Sequence, residues 1–167
     1  MASNQVQKAT NSKVQPQNGA HVSLTNQISR EMKLDRSVSW SGGMVGSFPS
    51  TIAPGHPVTF SHLSDGDFGS RAAVVYTGTN MAGVDCAWVL AWDAPAYTEH
   101  APNRVYAICG PKSVLDRLEF NQIRLSLGVS SSASEAEDNA TKTSVNATID
   151  ESMPNKANVE ATFTVIP

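Results

Sequence analysis

The side chains best suited to covalent chemistry in this sequence are two cysteines, Cys86 and Cys109. A cysteine nucleophile needs a neighbouring histidine or another charge that keeps the thiol deprotonated. The chain has four histidines, none of which stands in a local sequence signature with either cysteine: His21, His56, His62 and His100. Because both cysteines lie inside apolar runs, the sequence favours two buried free thiols over a cysteine enzyme. A disulfide between them stays an alternative for an oxidising compartment.

A metal site would have to combine His56 and His62 with the carboxylates of Asp65 and Asp67. The spacing of the two histidines is not that of a helical zinc-binding pair, and the Asp-Gly-Asp segment lacks the distal glutamate of a calcium loop. The glycines of residues 42–46 also lack the lysine and serine or threonine of a phosphate-binding loop. We therefore expect turns in these segments, with no bound metal and no cofactor.

Acid–base catalysis of the glycosidase type would require two carboxylates that face each other across a cleft. Asp85, Asp93 and Glu99 are the candidates, but nothing in their spacing predicts such a pair. Catalysis is therefore the less favoured interpretation of the sequence. A binding protein is the favoured one.

Aromatic and polar side chains gather around one predicted loop, which begins at Trp92-Asp93 and runs through Tyr97 to Asn103. Aromatic rings at strand ends can stack on a sugar or lie in a membrane interface, because one side is apolar and the other can hydrogen bond. Trp40 stands beside a second glycine-rich loop, and His62 is a third candidate. The predicted binding residues are Trp40, His62, Trp92, Asp93, Tyr97 and Asn103.

The elements that must position these residues are strands. From Val84 to Trp92 both parities of the sequence are apolar, which predicts a strand covered on both faces. The pattern predicts further strands at residues 21–28, 37–41, 58–62, 71–77 and 103–109, with Val38 and Trp40 facing inward. One short helix or turn is expected in 113–119, where apolar residues have helical spacing.

The last third of the chain alternates more cleanly. Ile123, Leu125, Leu127 and Val129 share one parity, which predicts a half-exposed strand, and residues 143–149 and 159–165 predict two more. Residues 130–139 lack an apolar period and are expected to form a mobile loop, and Met153–Asn155 a turn. About eight short strands with little helix predict an all-β protein, a single antiparallel β-sandwich with at most one short helix.

Composition sets the class of protein. The 167 residues carry a net charge of −3, which gives no basic footprint for nucleic acid. No apolar run approaches the ~20 residues of a transmembrane helix, and residues 1–10 lack the apolar core of a signal peptide, so a cytoplasmic location is expected. Residues 1–19 are polar and predict a disordered tail before a β-sandwich domain of residues 20–167.

Three segments carry a family resemblance: residues 72–80, 83–92 and 103–106. Their order and sequence, AAVVYTGTN, GVDCAWVLAW and NRVY, resemble the plant jasmonate-induced proteins. The resemblance implies a soluble plant protein tied to stress or defence, without established catalytic residues. A weaker, architectural likeness is to the β-sandwich cytolysins of the actinoporin and aegerolysin type. The sequence differs from actinoporins in lacking an evident N-terminal amphipathic helix and a dense tyrosine-tryptophan cluster.

Three functional hypotheses follow. The favoured one is a non-catalytic binding protein that recognises a glycan, a lipid headgroup or a protein through inter-strand loops. The second is an enzyme of plant specialised metabolism with a pocket between the sheets, which would use Asp85, Asp93, His62 or Cys109. The third is a membrane-active defence protein, supported by the aromatic loop alone. The sequence does not fix the oligomeric state.

Overall fold

The computed structural model describes residues 18–97, 101–150 and 156–167, and this part of the chain is built almost entirely of strands. The strands are β1 (Gly19–Asn26), β2 (Met32–Ser41), β3 (Gly43–Met44), β4 (Thr51–Ile52), β5 (Pro57–Leu63), β6 (Ser70–Thr79), β7 (Asp85–Ala94), β8 (Arg104–Pro111), β9 (Ala133–Asp138), β10 (Thr143–Ile149) and β11 (Lys156–Val165). Two short helices, α1 (Lys112–Leu115) and α2 (Phe120–Gly128), lie between β8 and β9. The fold is therefore all-β, as predicted, with one helix more than expected.

Two sheets face each other. The first has the order β3-β5-β1-β11-β10-β9, and the second has the order β4-β2-β6-β7-β8. Neighbouring strands are antiparallel except β1 and β11, which run parallel from the pair Gly19–Lys156 to the pair Asn26–Phe163. The predicted sandwich is confirmed, and this parallel pair is its one departure from the expected antiparallel pattern within the paired strands described.

Strand β7 is covered on both faces, as its sequence predicts. Its side chains at Trp88 and Trp92 enter the core between the sheets, where they lie with Tyr76 and Phe163. The alternate positions, represented by Val89, enter a second core on the outer face of the sheet. A strand with apolar residues at both parities is stable only where both faces are removed from water.

Helices α1 and α2 supply the cover for this outer face. Ile123 and Leu127 of α2 are buried against the sheet, whereas Leu125 is exposed. The predicted strand over residues 123–129 is therefore wrong, because the buried pair has the i, i+4 spacing of a helix. Val38 and Trp40 pack on this helical layer, so the face they turn to is the outer one and not the space between the sheets.

Residues 130–139, expected to be a mobile loop, contain strand β9. This strand pairs with β10 and also closes the side of the sandwich against β8. There the hydroxyl of Ser134 accepts the amide hydrogen of Ala107 at 2.9 Å. Side-chain and backbone hydrogen bonding supplied by the neighbouring strands, rather than apolar periodicity, makes this segment a strand.

Several sequence predictions concern residues that the structure does not describe. Strand β1 begins at Gly19, and residues 1–17 of the predicted tail lie outside the described residues. Glu99, His100 and the predicted turn at 153–155 lie outside them as well.

Cys86 and Cys109 are both buried free thiols. None of the described helices is long and apolar enough to cross a membrane.

Candidate functional site

The six residues predicted to bind a ligand fall at different depths of the fold. His62 and Trp92 are completely buried, and Asn103 and Asp93 are nearly so. Tyr97 is 52% exposed, and Trp40 is partly buried. Among them, Trp40 and Asp93 line neighbouring surface depressions, described below, whereas the other four do not line them.

His62 and Trp92 belong to a buried hydrogen-bonded chain between the sheets. The imidazole Nδ1 lies 2.8 Å from the Ser70 hydroxyl, the indole Nε1 donates to the same oxygen at 3.0 Å, and the imidazole Nε2 lies 2.9 Å from the Ser39 hydroxyl. Because the indole can only donate, we assign the Ser70 proton to Nδ1 and the imidazole proton to Nε2. Burial lowers the pKa of His62 to about 4, so the ring is neutral near neutral pH.

Asn103 and Tyr97 lie apart from this chain. The Asn103 amide donates to the carbonyl of Asp150 at 2.8 Å, which ties the start of β8 to the end of β10. Tyr97 comes directly before residues that lie outside the description. The structure therefore gives Asn103 a contact that joins two strands, and the ligand-binding role predicted for these two residues stays a prediction.

Asp93 is the predicted residue with the most distinctive surroundings. The β6–β7 register places Arg71 opposite it, and the Arg71 Nη2 lies 2.8 Å from the Asp93 Oδ2. Two further atoms of this ion pair, Arg71 Nε and Asp93 Oδ1, are buried and have no hydrogen-bond partner within the described part of the chain. A buried polar atom without a hydrogen-bond partner costs about 1–3 kcal/mol of stability, so a further hydrogen-bond partner would stabilise the ion pair.

A cleft of about 620 Å³ opens above the ion pair, between α2 and the outer face of the sheet. We call it the α2 cleft. Its lining residues are Arg71, Asp93, Asn121, Arg124, Leu125, Leu127, Gly128 and Val129.

Helix α2 is capped at its start and tied to the sheet at its end. At its start the Gln122 side chain accepts the Glu119 amide hydrogen at 2.9 Å, in a capping box. At its end the Arg104 guanidinium donates to the carbonyl oxygens of Gly128 and, at 3.3 Å, Ser130. The cation thereby satisfies carbonyl groups that have no partner inside the helix. One wall of the cleft is therefore fixed to the sheet.

A second depression of about 300 Å³ adjoins the α2 cleft and shares Arg71 and Arg124 with it. Trp40, Ser41, Asp65 and Phe68 complete its lining. The Trp40 ring meets Phe120 edge-on, with the ring centroids 6.4 Å apart, so the indole is braced against the helical layer. The two depressions form one continuous candidate site, because the same two arginines stand in both.

Gly69 holds the rim of this second depression. Its φ is +77°, and a β-carbon there would overlap the carbonyl oxygen of Ala94. The Ser41 hydroxyl donates to the Gly69 carbonyl at 3.2 Å. The turn that carries Phe68 is therefore packed directly against the end of β7, where Asp93 lies.

The arrangement is suited to binding. Arginine side chains recognise carboxylate and phosphate groups, and the unpaired Asp93 oxygen accepts a hydroxyl or ammonium donor. Within the described ranges, no group of three or more histidine, cysteine or acidic side chains converges as a metal site would require. The chemistry available in the α2 cleft is recognition of charge and hydroxyl groups.

Sequence reasoning missed the basic half of this site. Arg71 and Arg104 flank Asp93 on the two neighbouring strands, a pairing that becomes visible only when the β6–β7–β8 register is known. Arg124 was missed because its segment was interpreted as a strand. The signal that could have located α2 is the pair Glu119 and Gln122, which has capping-box spacing.

Known proteins resemble this chain either in fold or in sequence. No family model matches the chain. Two solved structures share the fold. The lipid-binding protein Nakanori has a TM-score of 0.75 and 14% identity, covering 90% of this chain and 72% of its own. The lectin XCL of Xerocomus chrysenteron has a TM-score of 0.51 and 11% identity, covering 87% and 99%. At such identities they establish the fold alone.

The sequence comparison reaches further. A jasmonate-induced protein homolog of Atriplex canescens is 40% identical over 144 residues, which are 84% of this chain and 78% of that protein. The match covers most of both chains, well beyond the three segments of the resemblance. The chain therefore belongs to the jasmonate-induced protein family.

Proposed function

We propose that this protein is a non-catalytic binding protein whose α2 cleft holds an acidic ligand that also carries hydroxyl groups, such as a sugar acid or a phosphorylated polyol. The observation that carries the proposal is the ion pair of Arg71 and Asp93 beneath the cleft, with one donor and one acceptor that have no hydrogen-bond partner among the described residues.

The charge of the cleft favours an acidic ligand. Among the described residues, the charged ones in its lining are Arg71, Arg124 and Asp93, and the adjoining depression adds Asp65. Arg104 stands on the far side of Asp93 in the β7–β8 register. The chain as a whole has a net charge of −3, so this basic region runs against the overall balance. A locally positive cleft attracts an anion and brings arginine donors to it.

The unpaired atoms favour hydroxyl groups. A hydroxyl both donates and accepts, so a single one can satisfy the Asp93 oxygen and the Arg71 nitrogen together. Both residues line the cleft, but these two atoms are covered, so a ligand reaches them only after the groups that cover them move aside. A ligand that forms hydrogen bonds with both atoms would recover part of the free energy lost by burying them without partners.

The names of two structural neighbours support a lipid or sugar ligand in general. Nakanori is described as a lipid-binding protein and XCL as a lectin, so proteins of this fold bind lipids or sugars. Membership of the jasmonate-induced family supports a role in plant stress, and a role in defence and a cytoplasmic location are part of the proposal. An enzyme with a pocket between the sheets has less support, because Trp88, Trp92, Tyr76 and Phe163 fill that space.

The proposal is tested by NMR titration with inositol monophosphate, glucuronic acid and uncharged inositol. We expect the two acids to shift resonances of the cleft and to bind more tightly than inositol. Arg124→Gln removes one cation and is expected to weaken binding about tenfold, since a charge-assisted hydrogen bond is lost. Arg124 is exposed and has no ion-pair partner within the described ranges, so the variant should fold.

Arg117→Gln is the matched control, because Arg117 is also exposed and does not line the cleft. It should bind like the original protein. Equal affinity for uncharged inositol, or an Arg124→Gln variant that binds as well as the control, would refute the proposal.

A further inference from the structure

We infer that the α2 cleft takes its ligand from the surface of a lipid bilayer, with Leu125, Val129 and Phe68 entering the headgroup layer while the cleft holds an acidic headgroup. This inference rests on the function proposed above and names the source of the ligand. Its evidence is the apolar rim of the same site.

Three large apolar side chains at the rim stand out in water. Leu125 is 75% exposed, Val129 is 87% exposed and Phe68 is 71% exposed. Leu125 lies on the exposed side of α2, and Val129 is the residue that directly follows the end of the helix, whereas Ile123 and Leu127 are buried in the core. The core therefore does not explain why these two positions are apolar.

On the side of α2 the rim alternates apolar and basic side chains, and on the side of the Phe68 turn it also includes the acidic Asp65. Arg124 stands next to Leu125, and Arg71 lies in both depressions between α2 and the Phe68 turn. The centre of a protein–protein interface is apolar and contains few charges, and this rim has no such centre. A bilayer surface suits the alternation, because isolated apolar side chains enter the acyl boundary while neighbouring cations reach anionic headgroups.

The rim is also presented rigidly. The Phe68 turn is packed through Gly69 against the end of β7, and the end of α2 is tied to Arg104. Because the backbone that carries these side chains is already fixed, little backbone entropy is lost when they enter a membrane. The surface is therefore ready for contact without rearrangement of the sandwich.

The test is flotation of the full chain with vesicles of phosphatidylcholine, with and without phosphatidylinositol, whose headgroup is an acidic polyol. Vesicles with phosphatidylserine match the charge without the polyol. The variant Leu125→Ser/Val129→Ser removes two rim side chains. Met81→Ser is the matched control, because Met81 is also highly exposed, at 81%. It lies in the turn between β6 and β7, at the opposite end of β7 from Asp93.

We expect the protein to float with phosphatidylinositol vesicles and the double variant to bind them at least about tenfold more weakly. Because Leu125 and Val129 also line the α2 cleft, the double variant is expected to lose more affinity for the vesicles than for free inositol monophosphate, and equal losses in the two assays overturn the inference. Met81→Ser should behave like the original protein in both assays. Equal vesicle binding by the double variant, or equal flotation with pure phosphatidylcholine, overturns the inference.

Two other outcomes separate this inference from the proposed function. Binding of free inositol monophosphate without any flotation overturns the membrane source and leaves the proposed function intact. Binding of neither the free headgroup nor the vesicles overturns both. Equal flotation with phosphatidylserine vesicles would support a membrane ligand and overturn the requirement for hydroxyl groups in the proposed function.

Discussion

Acidification from about pH 7 to about pH 5 is expected to destabilise the folded protein through His62. The imidazole is fully buried, and both of its nitrogens are occupied by the hydroxyl groups of Ser39 and Ser70. The folded structure holds the neutral ring, whereas the unfolded chain accepts a proton at the ordinary histidine pKa. Unfolding therefore takes up a proton in this pH range.

The size of the effect follows from the two pKa values. The ordinary value is 6.5 and the folded value is about 4. Each unit of difference corresponds to about 1.4 kcal/mol, so the largest possible loss is about 3.4 kcal/mol, reached below about pH 4. Between about pH 7 and about pH 5 the loss in unfolding free energy is about 2 kcal/mol. The contribution is fully present above pH 6.5 and falls as the pH drops toward 4.

Urea unfolding followed by tryptophan fluorescence at the two pH values measures the loss directly. His62→Gln keeps a polar side chain without the titration and should lose far less stability on acidification, whereas His56→Gln, at an exposed position, should behave like the original protein. Where His62→Gln does not fold, an NMR titration of the His62 ring gives the same answer. A His62 midpoint near 6.5, or an unchanged pH dependence in His62→Gln, refutes the reasoning.

Three further predictions concern the core, a turn and the thiols. Phe163→Ala leaves a cavity between core aromatic rings and should lower the unfolding free energy by about 3–5 kcal/mol in urea titrations. In the same assay Gly69→Ala should lower the free energy of unfolding clearly more than Gly46→Ala. Both glycines have positive φ, but a β-carbon at Gly69 would overlap the backbone, whereas one at Gly46 would meet open space. Equal losses of unfolding free energy would contradict this. Burial raises the pKa of the Cys86 and Cys109 thiols, so a thiol reagent such as DTNB should react slowly with the folded protein and rapidly in urea, and fast labelling of the folded form would count against it.

The central strands could be predicted because their sequences carry the physical constraint themselves. Strand β7 has apolar residues at both parities, and a strand of that kind must be covered twice. Strands β10 and β11 alternate strictly, with Val145 and Phe163 buried and Asn146 exposed. In these segments local pattern and tertiary environment agree, which is why the sandwich was predictable.

The segments that were predicted wrongly are those where the environment decides. Leu125 and Val129 share the parity of Ile123 and Leu127, and that alternation looks like a strand although only the second pair is buried. Strand β9 has almost no apolar pattern and exists because β10 and β8 supply partners. Contacts distant in sequence override a local pattern in both cases.

The candidate site was half predictable for the same reason. Trp40 and Asp93 stand at strand ends beside loops, where binding residues concentrate, and the sequence shows this directly. The contribution of Arg71 depends on strand register, and that of Arg124 depends on a helix that the local pattern does not reveal. His62 and Trp92 were grouped with these residues by type, yet the fold turns them into the space between the sheets.

The parallel pairing of β1 with β11 affects the order in which the chain can fold during synthesis. Strands β6, β7 and β8 are joined by short connections and can pair as soon as they leave the ribosome. Strand β1 emerges first among the described strands but has β11, the last of them, as one of its two neighbours. We therefore expect the first sheet to stay incomplete, with an unpaired edge open to aggregation, until β11 has been synthesised.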